Sequence, residues 1–272
     1  MCRFVGVLSK KTFLLSKFLD LPENSLIKQS KKSQEGNLGL HGDGFGIAWY
    51  NHNLLDPTPA IFKSIQPAWN DENLKSLVSK VETHCLIGHV RAATVGSVSR
   101  ENCHPFSYRQ WTCVHNGTIV DFDKLKQKTA ASIPQDFYQS IKGQTDSEYL
   151  FYLLLSHHEP RLGFTNLPVS LSRAVSDFHY WQKELGLAME YRINLLLTDG
   201  IRMMACRVCS PETHDCLSLN FYKDGESIVF SSEKLWESSE WRAMENNTMT
   251  LVDEDFNIET VPFVLQQHAY LV

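Results

Sequence analysis

The chain has 272 residues, 43% of them hydrophobic and 21% charged, the balance of a globular protein with a sizeable core. A formal net charge of −5 leaves no electrostatic footprint for nucleic acid or an anionic membrane surface, and no apolar run approaches the ~18–20 residues that span a bilayer. The first apolar run, residues 4–8, is too short for a secretory signal, so the expected compartment is the cytoplasm. With no linker, repeat or low-complexity stretch, one domain over residues 1–272 is the economical division.

The chain opens "MCRFVGVLSK". Residues 3–8 read as a buried strand and residues 11–18 as a helix. Cys2 is either a small buried residue behind the initiator or, once Met1 is removed, a terminal residue carrying both a thiol and a free α-amine, a nucleophile with its own base. The next segment, "HGDGFGIAWY", places Gly42, Gly44 and Gly46 at alternate positions and runs on into a strand over 45–50. A phosphate loop would need a helix there. Alternate glycines clear one face of a strand for another backbone or a substrate, or else mark a tight turn.

A strand over 60–65 and a helix over 72–81 lead to "LIGHVRAAT", a strand over 85–93 with Arg91 in a small, apolar setting. An arginine there needs an anion, either an internal Asp or Glu or a substrate carboxylate. His104-Pro105 closes the following loop. "WTCVHNGTIV" reads as strands over 111–115 and 118–120 around Asn116-Gly117, which is the favoured two-residue hairpin turn or a pair of donors aimed at a developing oxyanion. "TDSE" at 145–148 reads as a capping box opening a helix over 145–157. Asp146 in that first turn either caps the helix or binds a substrate ammonium group.

A helix over 169–185 and strands over 194–198, 202–208, 217–222, 227–231 and 249–252 complete the reading. Strands, helices, then strands again favour antiparallel sheets with helices packed outside, an α+β layered fold. The seven cysteines, odd in number and irregular in spacing, do not form a disulfide framework pattern. Cys206, Cys209, His214 and Cys216 are of zinc-ligand type, but the cysteines lie in or beside two strands and read as small apolar residues. No metal is expected.

Taken in order, Cys2, "GHVRAAT" (88–94), "HP" (104–105), "HNG" (115–117) and "TDSE" resemble the class II glutamine amidotransferases, a family of N-terminal-nucleophile hydrolases. "DGFGIAWY" (43–50) and "SSEKL" (231–235) are similar to its stand-alone subgroup, which lacks a fused synthase domain. The resemblance implies a four-layer αββα sandwich and no cofactor. It implies Cys2 as nucleophile, with its α-amine (reference pKa about 8) as base, and an oxyanion hole from Asn116 and Gly117. It further implies that Arg91 holds the α-carboxylate of glutamine or a γ-glutamyl group with backbone help near Thr94 and Val95, that Asp146 holds the α-ammonium, and that His104 belongs with the binding residues.

Two features depart from the synthase-linked members: Cys-Arg where those begin Cys-Gly, and Val95 where they carry histidine. Both match the stand-alone branch, some of whose members hydrolyse γ-glutamyl bonds in larger thiol metabolites. The chain ends too soon for an ammonia-using domain, so either a partner protein takes the ammonia or hydrolysis is the whole reaction. The leading expectation is a γ-glutamyl amide hydrolase acting through a Cys2 thioester. The alternatives are the glutaminase subunit of a two-protein amidotransferase, and a catalytically silent amino-acid-binding module.

Overall fold

The computed structural model describes residues 2–35, 40–211, 213 and 216–266. One antiparallel sheet is built from β1 (Arg3–Leu14), β2 (Phe45–Trp49), β3 (Ala60–Ser64), β4 (Glu82–Val90), β9 (Asn220–Lys223), β10 (Ser227–Ser231) and β11 (Arg242–Ala243), in the order β11-β9-β10-β1-β4-β2-β3. The second holds β5 (Phe106–Tyr108), β6 (Trp111–Ile119), β7 (Tyr191–Thr198), β8 (Met203–Cys209), β12 (Thr248–Val252) and β13 (Ile258–Pro262), in the order β13-β12-β8-β7-β6-β5. Helices α1 (Ser16–Leu19), α2 (Leu26–Lys31) and α3 (Glu72–Val78) belong to the first sheet's side. Helices α4 (Phe122–Ser132), α6 (Asp146–His157) and α7 (Leu167–Glu184), with the single turn α5 (Gln135–Tyr138), belong to the second.

The pleat explains why the strands read as continuous apolar runs rather than alternating ones. Successive side chains point to opposite faces, and both faces of the central strands are covered. In β1, Val5 and Val7 pack with α1, α2 and α3 residues such as Phe18, Leu26 and Leu74. Phe4 and Leu8 face the other sheet and meet Val114, Leu196 and Met203. In β7, Leu195 and Leu197 turn outward to Phe151, Leu171 and Phe178 of α6 and α7. Three apolar interfaces between four layers make the αββα sandwich, and the expected fold class stands.

Two local expectations are corrected. The helix over 11–18 is absent except for Ser16–Leu19. Instead β1 continues through a bulge between Leu8 and Phe13 and pairs Phe13 with Thr83 and Leu14 with Glu82. Lys10 and Lys11 are the exposed stretch of an extended chain; Lys11 meets Glu226 in an ion pair while Phe13 is buried. The Asn116-Gly117 hairpin is absent as well. β6 runs unbroken and pairs with β7 at every position from Thr112↔Thr198 to Ile119↔Tyr191. Both flanking runs hold one register against one neighbour, so the chain does not reverse there. Helices α2 and α4 and strands β5 and β13 were not expected from periodicity.

The cysteine reading changes too. Cys209 and Cys216 form a disulfide with Cα atoms 5.9 Å apart, within the span such a bond bridges. β8 ends at Cys209 and the chain returns beside it, so these two sulfurs are bonded to each other. Cys206 is a buried free thiol, and His214 lies outside the described residues. No helix among the described residues is long and apolar enough to cross a membrane.

Candidate active site

The site sits at one end of the space between the sheets, and the pleat puts it there. Cys2 stands just ahead of β1, on the face shared by Phe4; Arg91 stands just past β4, on the face shared by Ile87 and His89. β1 and β4 pair Arg3 with Val90 and Phe4 with His89, so the register carried one step further sets Cys2 beside Arg91. Asn116 lies on the β6 face of Val114, which also looks into the inter-sheet space.

The Cys2 thiol is half-buried and touches the Ala92 backbone twice: Sγ donates to the carbonyl at 3.4 Å and accepts from the amide at 3.4 Å. Burial pushes its pKa up; the Ala92 hydrogen bond and the Arg91 charge pull the other way, and Asp146 adds to the rise. The net direction is upward, so the resting group is a thiol and a nucleophile here requires a base. The β1–β4 register sets Arg91 beside Cys2, and Asp146 is bonded to Ile119 of β6, three residues beyond Asn116.

Arg91 is buried, and its guanidinium donates to the carbonyls of Val95 (2.9 Å), Gly96 (3.4 Å) and Ser97 (3.0 Å). Among the described residues no Asp or Glu forms an ion pair with it, so the internal carboxylate that a buried arginine would otherwise call for is not there. Its loop curls around the cation instead, and the Val95 carbonyl serves Arg91 directly. Thr94 is exposed, while the Val95 side chain packs at the edge of the helical core.

Asp146 begins α6 as expected. Thr145 caps the helix by accepting from the Glu148 amide at 3.2 Å. The box does not close, because the Glu148 carboxylate accepts instead from the Lys142 (3.0 Å) and Gly143 (2.7 Å) amides. Asp146 Oδ2 accepts from the Ile119 amide of β6 (2.9 Å), and Oδ1 from the Ser147 amide (2.8 Å). These bonds dock the helix start onto the strand that carries Asn116 and Gly117. A carboxylate offers about four acceptor sites, so room for a cation remains.

Asn116 is 2% exposed, and its Oδ1 has no partner among the described residues. An unpaired buried acceptor costs about 1–3 kcal/mol; the atom left over is the amide oxygen, whereas a contact to an oxyanion would have to come from Nδ2. Gly117 is needed for space: a Cβ would run into the Arg192 carbonyl and approach His115 Nε2 to 2.5 Å.

His104 is brought near but not open to solvent. Its ring stacks on His89 with centroids 4.0 Å apart, edges against Phe106 at 4.5 Å, and keeps both nitrogens buried. Burial first, then the neighbouring histidines, hold its pKa well below the ordinary value. The imidazole is a neutral wall element behind the site.

Asp43, His115 and Ser147 of this neighbourhood were given no role from sequence. Asp43 Oδ2 accepts from the Ala93 amide (2.7 Å), while its own amide donates to the Arg91 carbonyl (3.0 Å), so "DG" ahead of β2 holds the backbone on which both Arg91 and the sulfur contact depend. Gly46 serves the same packing: a Cβ there would collide with the His104 carbonyl. Gly46 thus admits another backbone, whereas a Cβ at Gly42 would meet the Trp69 ring. His115 Nδ1 lies 2.8 Å from Ser147 Oγ, itself 3.3 Å from Asp146 Oδ1. His115, two residues before Gly117, therefore braces the start of α6.

Residues 29–261 match the family of class-II glutamine amidotransferases. The chain belongs to that family. It is similar to the probable glutamine amidotransferase DUG3 of Saccharomyces cerevisiae, 30% identical over 93% of this chain and 82% of the yeast protein. It is 26% identical to the gamma-glutamyl-hercynylcysteine sulfoxide hydrolase of Mycobacterium tuberculosis, over 89% of this chain and 88% of that protein. Among solved structures it resembles a class-II glutamine aminotransferase domain protein from Silicibacter pomeroyi, with a TM-score of 0.71 and 22% identity over 97% of this chain and 100% of the other, a likeness of fold. The class-II relatives it matches along their length are of similar size and lack a fused synthase domain.

Proposed function

We propose that the protein hydrolyses γ-glutamyl amide bonds through a thioester on Cys2. The observation that carries this reading is the strand register that sets the half-buried Cys2 thiol beside the buried Arg91, with Asp146 docked on β6, the strand that carries Asn116 and Gly117. An α-amino acid whose side chain ends in a reactive carbonyl requires that set. Arg91 takes the α-carboxylate and Asp146 the α-ammonium, which aims the γ-carbonyl at sulfur.

The Cys2 α-amine accepts the thiol proton as sulfur bonds to the carbonyl carbon of the γ-amide. The carbonyl oxygen becomes an oxyanion, held by the Asn116 amide and the Gly117 N–H. Collapse breaks the C–N bond, and the terminal ammonium returns its proton to the departing nitrogen. Water, deprotonated by the same amine, then attacks the thioester, releases a γ-carboxylate and restores the thiol. Relatives named for γ-glutamyl hydrolysis and for glutamine amidotransfer support this chemistry and leave the group on the amide nitrogen unspecified.

The test is a pair of matched substrates, a γ-glutamyl anilide and its butyryl counterpart, assayed on wild type, Arg91→Lys and Asp146→Asn, with intact mass showing that Met1 is absent. Wild type should cleave the first and spare the second. Both variants should lose γ-glutamyl activity; Arg91→Lys keeps the charge but loses the planar fork. Equal cleavage of the butyryl compound by wild type would remove the amino-acid clamp from the reading.

A further inference from the structure

A nucleophile at a chain terminus is tethered on one side only. Cys2 stands ahead of Arg3, the first paired residue of β1, so strand pairing reaches the Cys2–Arg3 peptide through the Arg3 amide and does not itself hold the Cys2 carbonyl oxygen. The next side chain does. Arg3 Nη1 donates to the Cys2 carbonyl at 3.0 Å. The same guanidinium is locked from behind: Nε meets Glu233 Oε1 at 2.6 Å, with side chains 6% and 2% exposed. Glu233 also accepts from Asn24 Nδ2 (3.1 Å) and from the amides of Gln34 (3.0 Å) and Glu35 (3.1 Å). Arg3 Nη2 returns the connection by donating to the Glu35 carbonyl, and the Ser218 hydroxyl meets the Glu35 carboxylate.

Glu233 lies in "SSEKL", and the rest of that stretch explains how it arrives. Ser231 pairs with Val5 in the sheet. Ser232 accepts from the Phe4 amide through its hydroxyl and donates to the Phe4 carbonyl through its own amide, both at 3.1 Å. The end of β10 is thus laid along the first residues of β1, and the next carboxylate falls on Arg3.

We infer that Arg3 and Glu233 form a positioning clamp that holds the Cys2 carbonyl, and with it the thiol and α-amine, and couples residues 33–35 to the nucleophile. The inference rests on the proposed role of Cys2. Fold stability alone gives little reason for such a pair: the desolvation of two buried charges rivals their attraction, and apolar replacements of similar volume are often neutral or stabilising. What an ion pair with this many satisfied hydrogen bonds supplies is direction. It also gives a use to the Cys-Arg opening that distinguishes this chain from the Cys-Gly pattern.

The experiment uses full-length Arg3→Met, Arg3→Lys and Glu233→Gln, each shown by intact mass to lack Met1. Two quantities are read: kcat and KM on the γ-glutamyl anilide per folded molecule, and amide hydrogen exchange at Gln34 and Glu35. Arg3→Met should lower kcat at least tenfold with KM within threefold. It should also speed exchange at both amides about tenfold, although it removes neither amide's acceptor. Arg3→Lys keeps the ion pair but cannot also reach the Cys2 carbonyl, so it should restore protection without restoring kcat. Glu233→Gln should fall in both readouts. The clamp is overturned if Arg3→Lys and Glu233→Gln keep kcat within twofold of wild type, or if exchange at Gln34 and Glu35 is unchanged in Glu233→Gln. A wild type inert towards the anilide would sink the proposed function instead, and the exchange data would still decide the clamp.

Discussion

At the residue scale, Asn116 is the sharpest discriminator between a binding fold and a reactive one. Its amide is buried at the edge of the inter-sheet space with Oδ1 unpaired. A donor aimed at a developing oxyanion typically supplies ~2.7–4 kcal/mol of barrier, so Asn116→Ala should lower kcat by ~10²–10³ and change KM modestly. Stability should hold or rise, because the substitution removes an orphaned polar group. Steady-state kinetics beside a thermal melt separates the readings: lost stability with kcat per folded molecule intact would make Asn116 a strand residue and nothing more. Arg91 stood out in the sequence as a cation in a small, apolar strand and Asp146 by its place in a capping box, whereas Asn116-Gly117 read also as a hairpin turn and took its proposed role from the family resemblance. Asp43, His115 and Ser147 were given no role. Asp43 matters through an amide 50 residues away and His115 through a hydroxyl 32 residues away, and neither partner leaves a local trace.

At the element scale, the instructive case is β6. Asn-Gly between two β-rich runs is a strong hairpin signal, but it reports only what the dipeptide permits. The outcome was set by β7, which offers one unbroken register to both runs. The same logic defeated the helix over 11–18: two lysines interrupt an apolar run, yet β4 continues beside them, and Phe13 and Leu14 rejoin its ladder after a bulge. Where local signal and tertiary demand agreed, the reading held, as at Thr145, Ser227–Ser231 and most of α7. A turn and a strand make different demands on Gly117. In the strand a Cβ collides with the Arg192 carbonyl, so Gly117→Ala should destabilise the protein by about 1–3 kcal/mol, the usual cost of overpacking. The urea midpoint reports it. An unchanged midpoint would mean that the carbonyl yields freely and that the glycine is not held there by packing.

At the scale of the whole molecule, the sandwich encloses more titratable rings than its chemistry uses. His41, His89, His104 and His115 are all buried, and the first three keep both ring nitrogens without a partner among the described residues. Burial is the leading cause that pushes each below its ordinary pKa, His41 to about 4 and His89 and His104 well below; Arg91 adds to the effect at His89. The sign follows from proton counts. In the unfolded chain these rings take a proton near pH 6.5; in the folded protein His41 stays neutral down to about pH 4, and His89 and His104 stay neutral well below their ordinary pKa. Between those limits the unfolded state binds more protons, so stability is fully present above pH 6.5 and falls as the pH is lowered. Each such ring removes about 1.4 kcal/mol per pH unit, and His41, His89 and His104 together about 4 kcal/mol per unit. Against a total stability of roughly 5–15 kcal/mol, the protein should unfold within one to a few units below pH 6.5, in a range where most surface carboxylates are still charged. Urea midpoints at pH 7.5, 6.0 and 5.0 measure the slope. His104→Phe, which keeps an aromatic ring against His89 and Phe106, should reduce that slope by about one proton's worth. A wild type as stable at pH 5.0 as at pH 7.5 would show that these rings are reached by solvent or partnered, and that the wall behind Cys2 is not the neutral cluster its packing implies.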